Sequence, residues 1–141
     1  MLIAITLKNA LNTLPTRAED DHKGKYGHVL ILGGAPGMSG AVRLAGEAAL
    51  RVGAGKVSVA TAPEHACILN VTRPELMCYP VQNLNELAFL NRSASHWLLG
   101  PGMGHSPQAQ QLMATAMTFD KPLVIKMTEG YGKHNEEVVL Y

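Results

Sequence analysis

Twice in this chain a short apolar run ends in a glycine cluster and passes into a segment patterned as a helix. His28-Val-Leu-Ile-Leu32 runs into Gly33-Gly34, and His96-Trp-Leu-Leu99 runs into Gly100-Pro101-Gly102-Met103-Gly104. Apolar runs of this length without alternation read as strands covered on both faces, the pattern of a parallel sheet. Parallel neighbours need a crossover, and the segment between Leu32 and Lys56 supplies one. A helix is expected over Ala41 to Val52, with Leu44, Ala45, Ala48, Ala49 and Val52 on one face, followed by Gly53-Ala54-Gly55 and a second strand, Lys56 to Thr61. The two strands should pair in parallel through a right-handed crossover.

The same reading places a helix from a Thr6 cap to Pro15, carrying Leu7, Ala10, Leu11 and Leu14, and a solvated connection from Thr16 to Lys25. Further helices are expected from Pro63 to about Val71, over Leu84 to Leu90, and from Ser106-Pro107 onward with Leu112, Met113 and Ala116 inward. Leu76 to Tyr79 and Lys121 to Ile125 complete the strands. Beyond Ile125 only Val138 to Tyr141 carries a strand pattern, and a parallel sheet cut at Ile125 would leave an edge for that segment, or another copy, to cover.

Composition narrows the function. Among 141 residues, 12 Lys and Arg face 11 Asp and Glu, giving a net charge of +1, with no run of five like charges. Such a surface is not built for nucleic acid or anionic lipid. A 47% hydrophobic share is enough for a packed core. Cys67 and Cys78 are too few and too far apart for a zinc set or a disulfide framework, and read as reduced thiols. No apolar stretch reaches the ~18 residues of a membrane span, and Met1 to Leu7 lacks the basic start and cleavage site of a signal peptide, so a cytoplasmic location is expected.

Glycine turns at the carboxyl ends of parallel strands are where open α/β sheets bind ligands, because helix N-termini there present N–H groups and partial positive charge to an anion. One familiar version is disfavoured and another is excluded. Gly34-x-x-Gly37-x-x-Gly40 departs from the dinucleotide fingerprint, and the second strand ends in Thr61-Ala62-Pro63-Glu64 with no acid at its tip. No phosphate loop with Gly-Lys-Ser or Gly-Lys-Thr is present. The six histidines show no metal spacing and read as solvated or hydrogen-bonded. Ser39, in Gly-Met-Ser-Gly, misses the nucleophile-elbow spacing by one residue. Met38 and Met103 could line an apolar wall beside a ligand or pack in the core.

Taken together, His22-Lys-Gly-Lys-Tyr-Gly-His-Val-Leu-Ile-Leu-Gly-Gly34, Gly37-Met-Ser-Gly-Ala41, Ala48 to Thr61, Pro74-Glu-Leu-Met77 and Leu99-Gly-Pro-Gly-Met-Gly104 resemble the ADP/ATP-dependent NAD(P)H-hydrate dehydratases, a ribokinase-like family. The likeness runs from about Leu11 to Ile125. It implies an α/β fold of three layers, α/β/α, with a mostly parallel sheet, assembly as a homo-oligomer, and repair of hydrated NADH or NADPH. In that family a nucleotide phosphorylates the hydroxyl of the hydrated ring, and loss of phosphate restores the double bond. By the same resemblance Ala41 and Gly104 match substrate-contacting positions, and Gly33 and Gly34 lie in the loop beside them.

The resemblance also implies ADP or ATP with Mg2+, but the family's Asp-Ala-Asp-Ala-Leu-like turn, His-Pro-Gly-Glu segment and Gly-Asp motif have no counterpart here, where Lys126-Met-Thr-Glu-Gly follows Ile125. No catalytic residue and no metal ligand is therefore assigned. The expectation is an N-terminal part of the domain over 1–125 and a divergent tail over 126–141, from truncation or a shifted frame, with little activity alone. A non-catalytic dinucleotide-binding or assembly module is the alternative, and a small-alcohol kinase of the same fold a more distant one.

Overall fold

The structure, a computed structural model, describes residues 6–14 and 16–126 together with the backbone of 138–140. Pro15 and Tyr141, named above as a helix stop and a strand end, lie outside the described residues. The elements are α1 (Leu7–Asn12), a 3-10 turn (Lys23–Tyr26), β1 (His28–Leu32), α2 (Ser39–Arg51), β2 (Lys56–Thr61), α3 (Pro63–Ala66), β3 (Leu76–Pro80), α4 (Leu84–Asn91), β4 (His96–Leu99), α5 (Pro107–Ala116), β5 (Leu123–Lys126) and β6 (Val138–Leu140).

One sheet runs β3-β2-β1-β4-β5-β6. The first five strands are parallel, with Ile31 opposite Val59 on one side and Leu98 on the other. β6 pairs antiparallel with β5, Ile125 opposite Val139, so the segment with the strand pattern covers the β5 edge. Because β1 has β2 on one side and β4 on the other, the strand order reverses at β1, and the carboxyl ends of β1 and β4 flank that reversal.

Side chains alternate along each strand, and both faces are covered. On one face Leu30, Leu32, Trp97 and Leu99 pack with Leu87 and Leu90 of α4 and Leu112, Met113 and Ala116 of α5. On the other, Ile31, Val57 and Val59 pack with Val42, Ala45 and Ala49 of α2. The three expected layers are present, and α5 buries the side chains assigned to it.

Two local expectations require correction. The buried face of α2 is Val42 and Gly46 flanked by Ala45 and Ala49, while Leu44 and Val52 are each 72% exposed. Gly46 sets this face, because a Cβ there would stand 2.7 Å from Leu76 Cδ2. At Gly46 the helix lies too close to Leu76 for any side chain to fit between them. The helix expected from Pro63 to Val71 ends at Ala66 and continues as turns. Leu69 is buried while Ile68 and Val71 are exposed, so no apolar stripe sustains a longer helix.

The 16–25 connection is exposed for the most part yet tied down. The Arg17 guanidinium stacks 4.4 Å from the Tyr26 ring centroid and donates to the Gly53 carbonyl at 2.8 Å. The Asp21 carboxylate accepts from Lys25, from the Tyr26 hydroxyl and from the Ala18 N–H, which together hold its pKa at about 2 instead of 3.8.

Candidate functional site

The two glycine turns meet at the point where the strand order reverses, and they are bonded to each other. Gly34 N–H donates to the Pro101 carbonyl at 2.9 Å and Ala35 N–H to that of Gly102 at 2.7 Å. The strands below hold both in place, since Gly33 N–H donates to Ala60 and Gly100 N–H to Leu32. Gly33 is required by this contact: a Cβ there would lie 2.0 Å from the Pro101 oxygen. Gly34 adopts φ +69°, a conformation costly for other residues, and a Cβ there would lie 2.4 Å from Thr61 Oγ1. Most of the N–H groups of the first turn are thus already used, contrary to the simple expectation that glycine turns aim free donors at a ligand.

The free donors are instead one turn further on. α2 begins at Ser39, and its N-cap position is Met38, which has no side chain able to cap and whose ψ of 28° departs from the extended backbone of the other caps. By contrast, Asn83 closes α4 with a full capping box and Ser106 Oγ accepts from Ala109 N–H at the start of α5. Among the described residues, the Ser39 and Gly40 N–H groups have no acceptor. A Cβ on Gly37 or Gly40 would meet nothing within 4 Å, so the approach is open. An uncapped helix of 13 residues carries a partial positive charge suited to a phosphate or other anion.

Beside this loop lies a cleft of about 240 Å³ at the carboxyl ends of β1 and β2, on the α5 side. Gly33 to Pro36 form one wall, Thr61 to Glu64 a second, and Met103, Ala109 and Leu112 an apolar floor. Gln82 and Gln108 close one end, where Gln108 Nε2 donates to the Gln82 carbonyl at 2.6 Å. Met103, one of two methionines expected either beside a ligand or in the core, is buried and lines the cleft, whereas Met38 is exposed on the loop.

Of the four residues singled out by sequence, Gly33 and Gly34 line the cleft. Ala41 sits on the first turn of α2 against Gly102, whose added Cβ would lie 3.0 Å from Ala41 Cβ. Gly104, at φ +70°, faces Ala35. All four gather within the pair of interlocked turns. Sequence reasoning missed Thr61 and His65, buried to 2% and 7% exposure, which both reach the Gly34 carbonyl oxygen. The available signal was a Thr at the tip of the second strand, where side chains face a ligand or a neighbouring turn, with His four residues on. Among the described residues no three His, Cys, Asp or Glu side chains come together as a metal site, and no helix is long and apolar enough to cross a membrane.

Comparison with known proteins agrees with this geometry. The NAD(P)H-hydrate dehydratase family matches residues 29–127. The chain is 50% identical over 118 residues to the bifunctional NAD(P)H-hydrate repair enzyme Nnr of Coxiella burnetii, covering 84% of this chain and 24% of that protein. It is 35% identical over 102 residues to the ADP-dependent (S)-NAD(P)H-hydrate dehydratase of Staphylococcus aureus, covering 72% of this chain and 37% of that one. Among solved structures, the ADP/ATP-dependent NAD(P)H-hydrate dehydratase of Bacillus subtilis, co-crystallized with ATP/Mg2+, superposes with a TM-score of 0.68 at 27% identity, over 85% of this chain and 44% of that one. A protein from Streptococcus mutans superposes with a TM-score of 0.72 at 29% identity, over 79% and 42%. The chain therefore spans between about a quarter and 44% of the length of these relatives. From the interlocked turns at the strand reversal to the match across residues 29–127, sequence and fold agree that this chain belongs to the NAD(P)H-hydrate dehydratase family.

Proposed function

We propose that this chain forms the dinucleotide-facing part of an ADP/ATP-dependent dehydratase that returns hydrated NADH or NADPH to the reduced cofactor. The observation that carries this reading is the uncapped start of α2, with open space at Gly37 and Gly40, reached by the same loop whose Gly33 to Pro36 wall a cleft at the carboxyl ends of β1 and β2. A dinucleotide needs both features: an anion-receptive backbone for a diphosphate and an apolar-floored groove for a ring. Gly33, Gly34, Ala41 and Gly104 would contribute backbone and small surfaces that allow close approach. The described residues do not fit a Mg2+ site, with Glu64 the one carboxylate on the cleft. The phosphoryl-transfer step, which depends on positioned charge around the nucleotide, is accordingly not assigned to them. Assembly as an oligomer belongs to the same reading, and is supported by the exposed Leu7 and Leu11 of α1 and the exposed Leu14 that follows it.

The test is a titration of 15N-labelled chain with NADH and NADPH, followed residue by residue. Shifts centred on Gly33 to Ala41 and Gly104 are expected, and their absence at millimolar ligand rejects the reading. A parallel assay with hydrated NADH, ATP and Mg2+ should give little turnover by this chain alone. Robust turnover would mean that these residues supply the chemistry as well as the binding surface.

A further inference from the structure

Three donors converge on one backbone oxygen in the first turn. The Gly34 carbonyl accepts from Thr61 Oγ1 at 2.9 Å, from Ala62 N–H at 3.3 Å, and lies 3.1 Å from His65 Nδ1. A carbonyl only accepts, so Nδ1 carries the proton in this contact. Thr61 and His65 are both buried, and Thr61 stands where dinucleotide-binding sheets place an acid. Here the tip of β2 turns its polar group to the neighbouring strand's turn instead of to solvent or a ribose.

The peptide between Gly34 and Ala35 is thereby fixed at both ends. Its carbonyl is held by the β2–α3 corner, and its N–H by the Gly102 carbonyl at 2.7 Å. Gly34, at φ +69°, has the backbone freedom to take other conformations if that hold is released. We infer that Thr61 and His65 are positioning residues: their joint donation to the Gly34 carbonyl sets the orientation of the Gly34–Ala35 peptide, and with it the path of the loop that walls the cleft and enters α2. The relevance of that path to dinucleotide binding rests on the proposed function. The positioning role itself does not.

Amide hydrogen exchange on the full chain separates the two. His65→Leu removes one donor, His65→Asn restores a donor at the position of Nδ1, and Thr61→Val removes the other donor at nearly constant volume. Exchange at Gly34 and Ala35 should quicken about tenfold in His65→Leu and in Thr61→Val, the scale of one lost buried hydrogen bond. It should return toward the native rate in His65→Asn, while Ile31 and Val57 in the sheet keep their rates. Unchanged exchange at Gly34 and Ala35, or uniform acceleration across the sheet in both donor-removal variants, overturns the inference. An NADH titration of the same samples reads the function separately. If NADH shifts the native chain at Gly33 to Ala41, the shifts should weaken in His65→Leu and recover in His65→Asn. If the native chain shows no shifts, the functional reading fails and the exchange rates still decide the positioning role.

Discussion

At the β1 turn a Cβ added to Gly37 or Gly40 meets nothing within 4 Å, whereas at the β4 turn one added to Gly100 would lie 2.1 Å from the Lys126 oxygen and one added to Gly102 2.8 Å from that of Met38. The helices that follow differ in the same sense: α2 starts without a side-chain cap, and α5 is capped by Ser106. Similar glycine clusters at equivalent places in the sheet thus have different physical reasons. The β4 turn is a support, lending its Pro101 and Gly102 carbonyls to its neighbour. The β1 turn, once supported, is the one with donors and space to spare. Glycine content alone does not distinguish a turn that must pack from one that can receive a ligand; what surrounds each missing side chain does.

The largest effect that can break this comparison comes from Gly100→Ala, which combines φ +106° with a backbone clash and should cost about 3 kcal/mol of unfolding free energy. Gly37→Ala, at φ +81° in open space, should cost about 1 kcal/mol, from strain alone. Equal losses for the two in urea titrations would contradict the assignment of support to one turn and openness to the other. Ser106→Ala removes the α5 cap and should destabilise by about 1 kcal/mol in the same urea titrations.

Gly40→Ala sharpens the contrast further, because its effects on folding and on binding should differ in sign. An exposed helical glycine gains about 0.5 kcal/mol on substitution by alanine, but a methyl group there crowds an anion approaching the α2 N–H groups. Higher stability with weaker NADH binding is expected, and unchanged binding would place the ligand elsewhere.

The smallest effect lies at the opposite end of the sheet and serves as a control. His28 Nδ1 is 2.9 Å from the Ser93 carbonyl and Nε2 is 2.7 Å from Ser58 Oγ. Burial lowers its pKa below 6.5, against the Ser93 carbonyl and with a further push from Lys56. The unfolded chain then binds more protons just below pH 6.5, so this contribution is present above that pH and is lost as pH falls. His28→Asn should flatten the stability slope between about pH 5 and 7 and leave NADH shifts unchanged. An altered ligand response would link two ends of the sheet that the comparison treats as separate.

Much of this architecture was legible in the residues. Uninterrupted apolar runs marked β1 and β4, and the Gly33-Gly34 and Gly100 to Gly104 clusters marked the turns that follow them, because a two-sided parallel strand and a glycine turn are both local signals. The buried face of α2 was not legible in the same way. Leu44 is larger than the inward Val42, Ala45 and Ala49, yet it is exposed, because the contact between Gly46 and Leu76, thirty positions apart, decides which face turns inward. Thr61 and His65 escaped notice for a related reason. Their partner is a backbone carbonyl on another strand, which no periodicity or motif in the chain encodes.

The bonds from Gly34 and Ala35 to Pro101 and Gly102 join positions 67 residues apart in the chain. The first turn therefore cannot reach its final shape as an autonomous local motif. An excised peptide spanning His28 to Val52, or a nascent chain released only as far as β2, would contain every residue of the turn and lack the carbonyls that orient it. Closing a loop of that length carries an entropic cost that local contacts do not repay. The site should mature late in folding, after the far side of the sheet has docked, and grafting the turn onto another scaffold would require its partner turn to travel with it.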